Sequence, residues 1–171
     1  MAARHRVRLR QILSEAEGYL ELGMPQHALD VFERVEEPSH FTSHAFFIQG
    51  EALKQLGRHQ DAIAPLGRAA EIAPSNIQIW LALGWCYKRL RQFDLAVDAM
   101  EQAVLAEPDE AITHYNLACY LSLAGEKTRA LVHLTEALLL DPEYREMLDA
   151  EHDFDPIRSD AQFQAITSII V

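Results

Sequence analysis

Long apolar runs are missing from this chain of 171 residues. The opening MAARHRVRLR is basic, as an export signal is, but the following QILSEAEGYLELG carries three glutamates and never becomes a hydrophobic segment. The chain therefore reads as cytoplasmic, with no membrane insertion, and Arg4, Arg6, Arg8 and Arg10 read as the solvated first turns of an opening helix. Cysteine is scarce: Cys86 and Cys119 form no dense disulfide framework and no C-x-x-C spacing for structural zinc. Seven glycines and seven prolines are too few for a collagen or linker composition, and 49% hydrophobic residues argue against disorder. Positive charge is also short. Fifteen Lys and Arg against 26 Asp and Glu leave a formal charge of -11, which disfavours a nucleic-acid or anionic-membrane surface and favours protein partners.

The signatures of enzyme chemistry are missing as well. There is no glycine-rich phosphate loop, serine elbow or dinucleotide fingerprint, so no catalytic residue is assigned and the chain reads as a non-enzyme without cofactor. Of eight histidines, only His40 and His44 are four residues apart, and they straddle an expected linker with no H-E-x-x-H motif, so no metal site is expected. The acidic alternation Asp149, Glu151, Asp153, Asp155 lacks the glycine and terminal Glu of a calcium loop and reads as charged surface between helices.

What the chain does have is a repeat. Pro74, Pro108 and Pro142 are 34 residues apart, and other columns keep the same interval: Ile12, Phe46, Trp80, His114; Ala16, Gly50, Gly84, Ala118; Ala28, Ala62, Ala96, Ala130; Phe32, Leu66, Met100, Leu134. Within a unit, Trp80, Gly84 and Tyr87 share one helical face, because steps of four and three residues keep the 3.6-residue phase. A small residue beside a large one lets a neighbouring backbone approach while the aromatic fills the adjoining space. Each unit is thus two helices, too short to close a core alone, and stacking supplies one.

The expected helices are 5–22, 25–36, 43–56, 59–73, 77–90, 93–106, 111–124 and 127–140. Gly23, Gly57 and Gly125 fill one turn column between paired helices, where positive φ ends a helix at little cost, and Arg91 breaks that column. Ser75 and Asp109 offer capping oxygens to the helices that follow. Pro65 lies inside an expected helix, which predicts a bend or a late start there. His114, in the Trp80 column, reads as a packed, hydrogen-bonded residue. After Pro142, Tyr144, Met147 and Leu148 suggest a short amphipathic helix. A second is expected from Ser159, with Gln162 completing a capping box and Phe163, Ile166 and Ile170 forming an apolar stripe that covers the open end of the last repeat.

The unit Trp80, Leu83-Gly84, Tyr87, Ala96, Met100, Ala103, Pro108 resembles the tetratricopeptide repeat of small bacterial proteins. The second and fourth units keep most of the signature, and the first is degraded, with Glu15 in the Leu83 column, His40 in the proline column and Pro38 two residues early. The resemblance implies an all-α, right-handed superhelix of four repeats over 1–142 (about 9–42, 43–76, 77–110 and 111–144) and capping helices over 143–171. It also implies a concave groove lined by the first helix of each pair. The groove positions are Phe47, Glu51, Lys54, Leu81, Trp85, Lys88, Arg89, Tyr115, Asn116 and Cys119. Some members grip a partner's terminal carboxylate with basic residues, but here Leu81 and Tyr115 stand at those positions, and only Asn116 matches the backbone-binding asparagine. A scaffold that binds a peptide or partner segment in the groove is the resulting expectation. The alternative is a homo-oligomeric assembly module, suggested by the basic residues 1–10 and the acidic stretch 141–155 at opposite ends.

Overall fold

The computed structural model describes the backbone of residues 2–35 and 41–168, with side chains from Val7 onward. Pro38, His40, Ile170 and the side chains of Arg4 and Arg6 lie outside the described residues. Eight α-helices follow in pairs: α1 (Ala2–Glu21) and α2 (Pro25–Phe32), α3 (Ser43–Gln55) and α4 (His59–Ile72), α5 (Ile77–Arg89) and α6 (Phe93–Ala106), α7 (Ala111–Leu123) and α8 (Lys127–Leu140). Two 3₁₀ segments (Pro142–Met147 and His152–Phe154) and a final helix, α9 (Ala161–Ser168), complete an all-α solenoid with short capping elements. The chain divides into two compact units, Met1–Pro74 and Ser75–Val171, each with two helix pairs. Among the described residues no helix is long and apolar enough to cross a membrane.

The small-residue columns form the interior of each unit. In the first, Ala16, Ala28, Ala62 and Ala69 are fully buried with Val31 and Leu66. A Cβ on Gly50 would stand 2.4 Å from Leu66 Cγ, so only glycine lets α3 seat against α4 at this spacing. In the second unit Ala96, Ala103, Ala118, Ala130 and Ala137 are fully buried with Met100, Leu121 and Leu134. A Cβ on Gly84 would meet Met100 Cε at 2.8 Å and Tyr120 Cε2 at 3.1 Å.

The turn column keeps one geometry throughout. Gly23, Gly57 and Gly125 have φ of 70°, 74° and 82°, and Arg91 adopts φ 59° in the same place. The closing bond is the same in all four: Met24, Arg58, Gln92 and Glu126 donate their amides to the carbonyls of Tyr19, Leu53, Tyr87 and Leu121 at 2.8–2.9 Å. Arg91 sets its guanidinium over the Phe93 ring at 5.4 Å, which offsets part of its backbone strain.

Several local expectations are corrected. The cap before α5 is Asn76, whose Oδ1 accepts from the Gln78 amide at 3.1 Å, because the helix begins one residue later than a Ser75 cap requires. Glu110, not Asp109, precedes α7, and its side chain makes no capping bond. Helix α4 does not start late: it runs from His59 through Pro65, whose missing N–H costs the turn one hydrogen bond. Helix α2 stops at Phe32, four residues short of the expected end. The tail helix at 144–148 is a 3₁₀ segment capped by Asp141. The Ser159 capping box does not form. Asp160 takes its place, its Oδ1 accepting from the amides of Gln162 (2.9 Å) and Phe163 (3.4 Å), while Lys127 holds its other oxygen at 2.7 Å.

Candidate functional site

The first helix of each pair carries the expected groove residues, and the two units present them differently. In the first unit, Phe47, Glu51 and Lys54 lie partly buried on one face of α3. Lys54 Nζ donates to Glu51 Oε1 at 2.6 Å, so these opposite charges answer each other within one turn. His44 meets Glu17 of α1 at 2.5 Å on the same side.

In the second unit, Leu81, Trp85, Lys88 and Arg89 stand on α5, and Tyr115, Asn116 and Cys119 on α7. Trp85 is 38% exposed, with the Arg89 guanidinium over its ring at 5.4 Å. Leu81 and Asn116 are partly buried. Tyr115 and Cys119 are buried, because the chain's own C-terminal segment lies on them. The Tyr115 ring stacks on Tyr144 (4.7 Å between centroids) and meets the edge of Phe154 at 5.7 Å, and Phe154 in turn packs on Phe163 at 5.5 Å. Phe154 is fully buried. One residue earlier, Asp153 accepts a hydrogen bond from the Lys88 ammonium, which also lies 5.9 Å from the centre of the Tyr120 ring.

The acidic stretch is therefore not uniformly a charged surface between helices. Asp153 is buried against Lys88, and Glu151 turns its carboxylate back to accept the Asp153 amide at 3.1 Å. Asp155 remains exposed, and the Arg158 side chain, with help from His152, holds its carboxyl below the usual range. Arg158 also fastens the segment from behind, donating to the carbonyls of Leu148 (3.0 Å) and Glu151 (2.6 Å).

The Cys119 sulfur and the carboxylates of Glu151 and Asp153 have ligand atoms within 4.8 Å of one another. Burial, followed by those two carboxylates, pushes the Cys119 thiol well up, so it holds its proton, and Lys88 already neutralises Asp153. This chemistry is that of a buried ion pair beside a thiol and gives no activated nucleophile. Burial, and then the neighbouring Cys119 and carboxylates, likewise pushes the Tyr115 phenol up, and its hydroxyl has no hydrogen-bond partner among the described residues. His114, as expected, is packed and bonded: Nε2 donates to the Pro108 carbonyl at 2.8 Å, and Nδ1 faces Nδ1 of His133 at 3.0 Å.

Asp153 and Phe154 escaped sequence reasoning because the acidic alternation masks the one acid that turns inward. The sequence carries a signal in α7: the run Leu117-Ala118-Cys119-Tyr120-Leu121 puts apolar or aromatic side chains on both sides of the helix, so that both have to be covered.

Stacked helix hairpins nested on small residues, with varied side chains on the first-helix faces, define a repeat scaffold for protein–protein contacts. Two family models described as tetratricopeptide repeat match residues 13–77 and 53–117. The chain belongs to the tetratricopeptide-repeat family. Anaphase-promoting complex subunit 3 of Schizosaccharomyces pombe (strain 972 / ATCC 24843) is 26% identical over 99 residues, which are 58% of this chain and 15% of that protein. The chain thus spans a small part of that relative's length. Among solved structures, MamA (41-end) from Desulfovibrio magneticus RS-1 superposes with a TM-score of 0.74 at 19% identity over 93% of each chain. YrrB, described as a TPR protein with an unusual peptide-binding site, gives 0.71 at 22% identity over 79% of this chain and 70% of that one. Both show the shared fold.

Proposed function

We propose that this scaffold binds a peptide or an extended partner segment on its first-helix faces. The observation that carries the reading is Trp85: a large aromatic, 38% exposed, flanked by Arg89 and Leu81 on a helix whose other faces are packed. Half-exposed Trp and Arg side chains are the types that anchor protein interfaces, since each offers much contact area at modest entropy cost. Phe47, with the Glu51–Lys54 pair beside it, offers a smaller anchor in the first unit. The similar fold of YrrB, with its stated peptide-binding site, supports the reading.

Peptides selected on the full chain from a random display library provide the test. Trp85→Ala is expected to weaken their binding by about tenfold or more, with helicity unchanged, and Phe47→Ala to weaken those that dock on the first unit. Selected peptides whose affinity ignores both substitutions would refute the reading.

The oligomeric alternative relied on free acids near the C-terminus. Two of those in 141–155 are paired within the second unit, Asp153 with Lys88 and Asp155 with Arg158. The charge left for attracting a basic end is correspondingly smaller.

A further inference from the structure

The segment that covers α7 does more than cap a hydrophobic end. A cap needs only apolar contact with the last helix pair, and the 3₁₀ segment Pro142–Met147 on α8, together with α9, supplies it. The segment His152–Phe154 packs instead on α7 and sends Asp153 back to Lys88 of α5, one repeat earlier. It lies across two successive first helices, as a peptide ligand of this face would. Its contacts have a ligand's division of labour. A carboxylate meets the one lysine of that face, and the next side chain, a phenyl ring, is fully buried against Tyr115. Glu151 folds back to fix the turn.

We propose that Glu151–Asp155 is a built-in occupant of the α5–α7 face, and that this face takes from a partner an acidic segment with a carboxylate immediately before a phenylalanine, admitted by displacing the chain's own. The proposal deepens the peptide-binding reading and rests on it. The face and its occupant are complementary. Lys88 and the Tyr115 ring form a cationic and an aromatic subsite, already shown filled by an Asp-Phe pair, and Glu151 and Asp155 flank that pair with further negative charge. An occupant held in the same chain has a high effective concentration, so a partner has to bind well in order to compete.

The probe is a fluorescent peptide with the sequence of residues 149–157, DAEHDFDPI, against a control with alanine at the Asp-Phe positions. The full wild-type chain is expected to bind the probe weakly, and saturating probe is expected to speed amide exchange in residues 148–157 of the chain, while the control does neither. Asp153→Lys sets two cations against each other and loosens the occupant, so probe affinity is expected to rise about tenfold or more. Adding Lys88→Asp restores the ion pair in reverse and closes the face again, and binding is expected to fall back. Phe154→Ala serves as a second opened variant.

Four results would overturn the proposal: no exchange change in the wild type at saturating probe, equal binding of probe and control, an Asp153→Lys chain of normal helicity that binds no better than wild type, or binding that survives Lys88→Asp. Library peptides that lose affinity on Trp85→Ala while the probe fails would leave the general peptide-binding reading standing and remove this one. If both sets fail, that reading falls as well.

Discussion

The two units use the same helix pair and finish their first-helix faces in opposite ways. On α3 the face carries Glu51 and Lys54, which neutralise each other and tolerate water. On α7 the equivalent turns carry Tyr115, Cys119 and Ser122, uncharged and all buried, and the C-terminal segment covers the first two. The difference follows from the side chains. A helix with a charged side can stop at its partner, whereas a helix with uncharged side chains to bury on both sides recruits a third layer, here a 3₁₀ segment whose own acids must then be paired. What a repeat column specifies is the nesting of helices. Whether the remaining face is open or filled is set by the residues between the columns.

The largest expected effect breaks that contrast directly. Phe154→Ala removes a fully buried ring from between Tyr115 and Phe163, and should cost the second unit about 3–5 kcal/mol. Both tryptophans, Trp80 and Trp85, lie in this unit, so denaturant unfolding followed by tryptophan fluorescence reads it selectively, and circular dichroism reads the whole chain. A midpoint unmoved in fluorescence would show that the third layer contributes little. The counterpart in the first unit is Gly50→Ala. Its Cβ would press on Leu66 Cγ at 2.4 Å, and the fully buried Leu66 has little room to turn, so about 1–3 kcal/mol is expected. That loss should appear in the dichroism transition.

The helix pairs were legible because nesting leaves a fixed-interval trace: Ala62, Ala96 and Ala130 repeat in sequence and are all fully buried in the fold. The turn column was legible for the same reason, including its exception at Arg91. The tail was not, because it repeats nothing. Asp153 differs from Asp149 and Asp155 only in its position on a short 3₁₀ turn, and a three-residue helix leaves no periodic trace. The groove columns told which residues share a face, but burial of Tyr115 and Cys119 depends on a segment nearly thirty residues or more further along, which no local pattern announces.

Arg91 sharpens the contrast between a column and its exception. Replacing it with glycine relieves a left-handed conformation that ordinarily costs about 1–2 kcal/mol, but loses the Phe93 contact and frees the unfolded chain, so a net gain of about 0.5 kcal/mol is expected. A loss of stability would mean that the guanidinium stacked on Phe93 outweighs the backbone strain.

The weakest effect is a pH slope, since His133 is only partly buried. Its pKa is lowered, first by burial and then by His114, so the unfolded chain takes up this proton before the folded one does. His114 commits Nε2–H to the Pro108 carbonyl, so its Nδ1 accepts from the Nδ1–H of neutral His133 at 3.0 Å, and burial of His133 is what sets the sign. Stability from His133 is complete above the ordinary histidine pKa of about 6.5 and declines as pH falls from there through its lowered value. Melting of the second unit, followed by tryptophan fluorescence from pH 7.5 to 5, should show the decline, and His133→Gln should flatten it. Because the first unit contains no such facing pair among its described residues, a decline that persists undiminished in His133→Gln would place the titrating group elsewhere in the chain.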